Sequence, residues 1–321
     1  MKYKQLTLSK RYHISTLIKQ GFTQKDIALE IGVSPSTICR ELKRNSSQRY
    51  NAEQAQIIYH KRVIAKKKRN AITKLIEKYI RTKLKLDWSP EQISGRMRLD
   101  IGKSVHHETI YKFIYHNKKA GGKLYKHLRH KNQKYHCRTK EYQKRGMIIN
   151  RIMIDKRPKI VEHKKRIGDW EIDTVIGANH KGALVTIVDR ASKFTLIKKI
   201  ESKHAQIVTQ ATLDLLHPLK SLTHTITSDN GKEFAYHDVI SKTLNTSFYF
   251  ANPYHSWERG LNEHTNGLIR QYIPKKSEFE NISKDEIVTI ANKLNHRPRK
   301  SLNYKTPFEV FMKEFSKKMA S

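Results

Sequence analysis

The chain has 321 residues, 65 of them Lys or Arg against 29 Asp or Glu, for a formal charge of +36. That balance points to a polyanionic partner, nucleic acid foremost. No apolar run approaches the ~20 residues of a membrane span, and the opening MKYKQLTLSK lacks the apolar core of a signal peptide. Cys39 and Cys137 stand far apart and form no C-x-x-C pair, which argues against a disulfide framework or a cysteine zinc site and fits a reducing cytoplasm.

The charge is uneven. Residues 1–167 hold 43 basic and 12 acidic side chains, a net of +31, and residues 168–321 hold 22 and 17, a net of +5. The amino half therefore reads as the binding half, and the carboxy half as the part with another task.

In chain order, Leu6 to Gln20 has apolar residues at helical spacing and stops at Gly21. A short helix opens at Thr23 and closes at Ile31-Gly32. A third starts after Ser34, with Pro35 in its first turn. Helix, glycine turn, helix is helix-turn-helix spacing, and SPSTICRELKR is the segment placed to enter a major groove. Ser36, Thr37, Arg40 and Lys43 are its candidate DNA contacts. A basic helix from Tyr50 to Asn70 follows, suited to phosphates or to a solvated linker. Residues 71–118 repeat the theme: a helix over Ile72–Leu84, a start at Trp88-Ser89-Pro90, and a recognition-like helix at Val105–Tyr111. His106 reads as its cap, and His107 and Thr109 face a groove. Zinc is not indicated there, since the nearest cysteine is Cys137. Residues 116–166 are a basic connector without a core pattern, ending at Arg157-Pro158.

From Gly168 the pattern changes. GDWEIDTVIG, GALVTIVDR and FTLIKKI predict three antiparallel strands, His204–Leu216 a helix, and THTITSD and TSFYFAN two more strands. Helices follow at Trp257–Lys275 and Lys284–Leu294. This order is that of a ribonuclease-H-like α/β fold, a mixed five-stranded sheet with helices, preceded by all-α helix-turn-helix domains. The expected boundaries are 1–46, a linker over 47–70, a second helix-turn-helix over 71–118, a connector over 119–165 and a catalytic domain over 166–321.

Three acids stand out. In WEIDTVI, Glu171 and Asp173 share one face of a strand, with Trp170 and Ile172 on the other. Asp173 sits among apolar residues, where a carboxylate is costly unless paired or metal-bound. Asp229 ends a strand before Asn230-Gly231, which also suits a plain turn. Glu263 is the one acid on a helical face shared with Arg259 one turn before, Asn266 one turn after and Arg270 two turns after. That face suits a metal ligand beside phosphate contacts, or else a surface helix laced with salt bridges.

GDWEIDTV (168–175), TSDNGKEF (227–234) and PYHSWERGLNEHTNGLIRQYIPK (253–275) resemble the three catalytic blocks of DDE transposases of the insertion-sequence-30 family, with 33 residues between Asp229 and Glu263. Residues 6–45 resemble its amino-terminal helix-turn-helix. WSPEQI (88–93), HHETIY (106–111) and LNHRPRKSLNYKTPFEVF (294–311) resemble further blocks. The chain departs from the pattern at Leu261, His264 and Asn303, the last where glycine is common. The resemblance implies Asp173, Asp229 and Glu263 as catalytic residues and metal ligands, with Mg²⁺ as cofactor and Mn²⁺ able to substitute. It implies binding of the transposon's terminal inverted repeats and of target double-stranded DNA, a homodimer or larger assembly on DNA, no membrane, and a cytoplasmic, nucleoid-associated location. Arg259 and Arg270 become DNA contacts, Arg270 through its bidentate fork. Glu171 is a candidate for supporting the metal site or, in the alternative, for a structural salt bridge, and His255 and His264 are expected to face DNA or solvent. Three other classes compete. A helix-turn-helix transcription regulator leaves the acids idle. A retroviral-type integrase needs a His-His-Cys-Cys zinc site, and a ribonuclease H needs no +31 amino half.

Overall fold

The structure, a computed structural model, describes residues 5–45, 49–65, 71–129, 148–253, 255–275 and 277–319. Side-chain caps set most helix starts. Thr7, Thr23, Thr73, Ser89 and Ser283 each accept a main-chain N–H from the first turn that follows. The chain divides into two compact units, Met1–Asn70 and Ala71–Ser321.

In the first unit α1 (Leu8–Lys19), α2 (Gln24–Ile31), α3 (Pro35–Arg44) and α4 (Ala52–Ala65) pack around Ile14, Leu17, Ile27, Ala28, Ile31 and Ile38. Gly32, at φ 68°, makes the turn into α3. A buried ion pair ties three of these helices together: Arg11 Nε meets Glu41 at 2.7 Å, and Arg11 Nη1 donates to Gln56 at 2.6 Å. The basic helix predicted from Tyr50 to Asn70 runs over Ala52–Ala65, and residues 66–70 lie outside the described residues.

The second unit starts with α5 (Lys74–Lys85), α6 (Pro90–Ile101) and α7 (His107–Lys119), packed on Ile80, Leu84, Ile93, Met97, Ile110 and Ile114. Ser89 and Gln92 form a reciprocal capping box, and His106 Nδ1 caps α7 by accepting from Glu108 N.

The sheet has the order β3-β2-β1-β4-β5: β1 (Asp169–Ile176), β2 (Ala183–Asp189), β3 (Thr195–Ile200), β4 (Thr225–Ser228) and β5 (Ser247–Phe250). The first three pair antiparallel, and β4 and β5 add in parallel, which makes the mixed five-stranded sheet that the pattern predicts. Gly168 enters β1 at φ 95°, and a Cβ there would fall 1.6 Å from the Leu222 carbonyl oxygen, so only glycine fits. Trp170 and Ile172 point into a core under α8 (Ala205–Leu216), α9 (His237–Leu244) and α12 (Pro307–Met319). On the other face Val175 and Leu184 pack beneath α10 (Gly260–Ile269) and α11 (Lys284–Asn295). Each fully buried Ile, Leu or Phe contributes roughly 1.5–3 kcal/mol.

Two expectations need correction. The connector is not free of core: Ile148, Ile154 and Val161 are buried, and Met153 bridges Phe250 beside the last strand. Apolar residues scattered through a basic segment show no period, yet they seal the sheet edge. The helix expected over Trp257–Lys275 is also shorter, because a 3-10 turn at Ser256–Arg259 precedes α10 and the chain turns at Arg270 before Pro274.

The helical bundle and the sheet half belong to one unit. Arg96 of α6 forks onto Glu309 at 2.6 and 2.7 Å, and the Tyr304 ring occupies the space above Gly95. Asn303 adopts φ 52°, the left-handed conformation that explains glycine in the pattern and that asparagine tolerates.

Candidate active site

The β1–β4 ladder ends at Glu171↔Thr227. Asp173 and Asp229 each lie two residues further on, side by side where the strands part. Such a crevice at parallel strand ends is where open α/β sheets place their sites. A tight turn fixes Asp229: Gly231 N donates to its Oδ1 at 2.9 Å, and Asn230 holds Ala251 O at 2.6 Å and Arg151 at 2.9 Å.

Helix α10 lies across the crevice. Asn266 Nδ2 donates to Asp173 Oδ2 at 2.8 Å, and Thr186 Oγ1 in turn holds Asn266 Oδ1 at 3.1 Å. Arg259 bridges the two aspartates, with Nη1 3.6 Å from Asp173 and Nη2 3.5 Å from Asp229. Its buried Nε and Nη1 make no hydrogen bond. Glu263 is exposed on the same side of the helix, between these two residues. Burial, with Asp229 and Glu233 adding to it against Arg259, pushes the Asp173 carboxyl up to about 6.

Glu171 faces the same way but is wholly committed. Its carboxylate pairs with Arg190 at 2.7 Å and accepts the Asn262 N–H at 3.2 Å. Arg190 continues to Glu162, which also binds Arg157, and Arg157 reaches Thr227 Oγ1 at 2.8 Å. Burial, countered by Arg190, still raises the Glu171 carboxyl.

Glu233, which no expectation named, joins the group. Thr174 Oγ1 donates to its Oε1 at 3.0 Å, and a Cβ on Gly231 would meet both Glu233 Oε2 and Asp229 Oδ1, at 2.4 and 2.9 Å. Its place four residues after Asp229 was the only signal for it. Arg270 is closed onto main chain, with Nη2 2.8 Å from Ile176 O, Nη1 3.3 Å from Pro274 O and the guanidinium over the Phe279 ring. His255 lies 3.1 Å from Glu258. On α3, Ser36, Arg40 and Lys43 are exposed and Thr37 half-buried, with Arg40 folded back onto Ser36. On α7, His107 and Thr109 are half-buried. Among the described residues no three His, Cys, Asp or Glu side chains are arranged to hold a metal ion, and no helix is long and apolar enough to cross a membrane.

A helix-turn-helix bundle together with a five-stranded sheet bearing paired aspartates defines a DNA-acting enzyme of the integrase-core class. Residues 2–45 match the family described as helix-turn-helix domain, and residues 163–256 match the integrase core domain, a range that stops short of Glu263. The chain is 49% identical to the transposase for insertion sequence element IS4351 of Bacteroides fragilis, over 96% of this chain and 95% of that one. It is 35% identical to transposase InsI for IS30A of Escherichia coli, over 95% and 82%, and 33% identical to the transposase for IS1086 of Cupriavidus metallidurans, over 96% and 94%. The chain belongs to the insertion-sequence-30 family of DNA transposases. Integrase-type cores in general work with a divalent metal.

Proposed function

We propose that this chain binds the terminal inverted repeats of its own insertion sequence and cuts and joins DNA strands at Asp173, Asp229 and Glu263. The observation that carries the reading is the pair of aspartates where β1 and β4 part, crossed by the helix that bears Glu263.

The paired aspartates suit Mg²⁺ in their chemistry, although the three carboxylates are not gathered into one site. Two hard carboxylates already converge on one cationic group, Arg259, and burial with the neighbouring carboxylates holds Asp173 high even against that cation. Asp173 and Asp229 would hold the ion, with Glu263 completing the set. When bound, the metal supplies Lewis-acid activation of the attacking oxygen and stabilises the leaving one. Asn266 and the Thr174 N–H orient the Asp173 oxygens, and the Gly231 N–H orients Asp229. Arg259 offers a guanidinium that can pass from the carboxylates to a substrate phosphate.

The reaction runs in two displacements. Water attacks the phosphorus at the element's end and the P–O3′ bond breaks, leaving a 3′ hydroxyl on the element and a 5′ phosphate on the flank. That 3′ oxygen then attacks a target phosphodiester, forming a new P–O3′ bond and releasing a target 3′ hydroxyl, with no covalent bond to the protein. Joining two ends calls for at least a dimer on DNA. Mn²⁺ should substitute for Mg²⁺, and the bacterial cytoplasm is the expected setting.

Asp173→Asn, Asp229→Asn and Glu263→Gln are expected to lose 3′ cleavage and strand transfer while still binding an end duplex. A variant that transfers strands at the wild-type rate removes its residue from the set.

A further inference from the structure

Behind α10, on the side away from the aspartates, lies a cavity of about 560 Å³ between the helical bundle and the Arg297–Tyr304 segment. His264, Leu268 and Gln271 line it at helical spacing, on the face opposite Arg259 and Asn266. Its other walls bring together Arg129, Arg297, Arg299 and Lys300.

The three guanidinium groups among them have no carboxylate within ion-pair distance among the described residues. Arg297 is 3% exposed and binds Gln271, the Tyr272 hydroxyl and the Asp87 carbonyl, with its buried Nε unbonded. Arg299, 9% exposed, donates Nη2 to Leu294 O, and its buried Nε is also unbonded. Arg129 lays Nη2 over Gly267, where an added Cβ would be 3.1 Å away. Of the two acids in the wall, Asp87 pairs with Lys293 at 3.3 Å and His127 at 3.6 Å, and Glu91 neutralises Lys300 at 2.7 Å, which leaves the three arginines. Burial, then Arg297, pulls Arg299 down to about 10, and burial followed by Arg299 and Arg129 lowers His264. Clustered guanidinium groups without counter-charge are costly to bury and are balanced by an anion from outside.

We propose that this cavity is a phosphate subsite for the DNA backbone, holding the strand a few nucleotides from the bond cut at the aspartates. The helix between the two sites is ~10 Å across. A strand that reaches both sites therefore runs around the helix, which places the held phosphate several nucleotides from the scissile one. Guanidinium forks suit this ligand, since they match phosphate oxygens in pairs. The subsite rests on the reading of the chain as a DNA strand-transfer enzyme and adds a location for the backbone that the carboxylates do not specify.

The test uses the full chain and an end duplex in which single phosphates are replaced, one at a time, by neutral methylphosphonate. One replacement several nucleotides from the cut is expected to weaken wild-type binding roughly 5–10-fold and to leave Arg129→Gln and Arg299→Gln unaffected. Each variant should also flatten the slope of log K against log salt by ~0.9. Arg129 is exposed, so its variant tests the subsite even where Arg299→Gln fails to fold. An Arg129→Gln protein with the wild-type slope and the wild-type methylphosphonate profile overturns the subsite. So does inorganic phosphate that raises the Tm while DNA binding ignores both variants, which assigns the cavity to a free ion. Loss of the strand-transfer reading would look different: a wild-type chain that holds the phosphate but neither cuts nor joins with Mg²⁺.

Discussion

Glu171, in the first half of β1, accepts the main-chain N–H of Asn262 at 3.2 Å, 91 residues further along the chain. Asn262 is the residue before Glu263, so a buried carboxylate in the sheet holds the first turn of α10 over the aspartates. Its second oxygen is paired with Arg190 at 2.7 Å.

Glu171→Gln leaves the Arg190 charge half-compensated, and removing one partner of a buried pair costs roughly 3–5 kcal/mol. The Tm should fall by about 6–20 °C for a unit of this size. A Glu171→Leu, Arg190→Met double variant should recover most of the stability but not strand transfer, because the N–H of Asn262 stays unheld. Full recovery of transfer in the double variant would show that the tether has no part in positioning Glu263.

Asp173 links function to stability through pH. Its folded carboxyl titrates at about 6 against an ordinary 3.8, so the folded protein keeps a proton that the unfolded chain has released. Stability of the metal-free protein therefore falls as pH rises from about 4 to 6 and stays lower at neutral pH. Asp173→Asn should be more stable than wild type at pH 7.5 by about 1–2 kcal/mol, under a ceiling of ~3 set by the shift, with no gain near pH 4. Mg²⁺ should then raise the wild-type Tm and leave the variant unmoved. Thermal unfolding at both pH values decides it, and a variant less stable at pH 7.5 than metal-free wild type sinks it.

Arg270 can serve the substrate or the fold. With both Nη atoms on carbonyls of Ile176 and Pro274, Arg270→Ala is expected to lower stability by about 1–2 kcal/mol. A phosphate role predicts ~2–3 kcal/mol lost from transition-state stabilisation, with Arg270→Lys also impaired. Strand-transfer rates set beside Tm for the two variants separate the roles, since a carbonyl anchor alone leaves the rate per folded molecule unchanged.

Gly95 lies inside α6, where glycine-to-alanine ordinarily gains roughly 0.5–1 kcal/mol. Here a Cβ would stand 2.2–2.3 Å from the Tyr304 ring. Gly95→Ala should instead lose about 1–3 kcal/mol, as overpacking does. Gly95→Ala combined with Tyr304→Ala should lose less than Gly95→Ala and Tyr304→Ala added together. Denaturant unfolding of the single and double variants checks the sign.

The division near residue 70 predicts where the protein can be cut. Residues 1–70 should bind a terminal-repeat duplex specifically, with affinity dropping steeply between 50 and 200 mM salt, and residues 71–321 more weakly. A cut at residue 118 would strip Arg96 of Glu309 and should give a less stable fragment. Sequence-specific binding found mainly in residues 71–321 would reverse the assignment of α3 as the reading helix.

Periodicity, caps and turn residues determined the kinds of element and their order, from the glycine turn before α3 to the five strands after Gly168, because these signals act over a few residues. They also singled out Asp173, a carboxylate inside a strand where a charge needs a partner, whereas Asp229 suited a plain turn and stood out through the resemblance of its block. Only the tertiary structure decided who those partners are. Arg259 bridging both aspartates, Glu233 beside Asp229, Glu171 holding Asn262, and the Arg96–Glu309 fork join residues 4 to 213 positions apart. No local pattern encodes such pairings: they follow from β1 and β4 separating after Glu171 and from α10 packing on Val175 and Leu184. The arginines behind α10 were invisible for the same reason, since only the fold brings Arg129, Arg297 and Arg299 to one cavity.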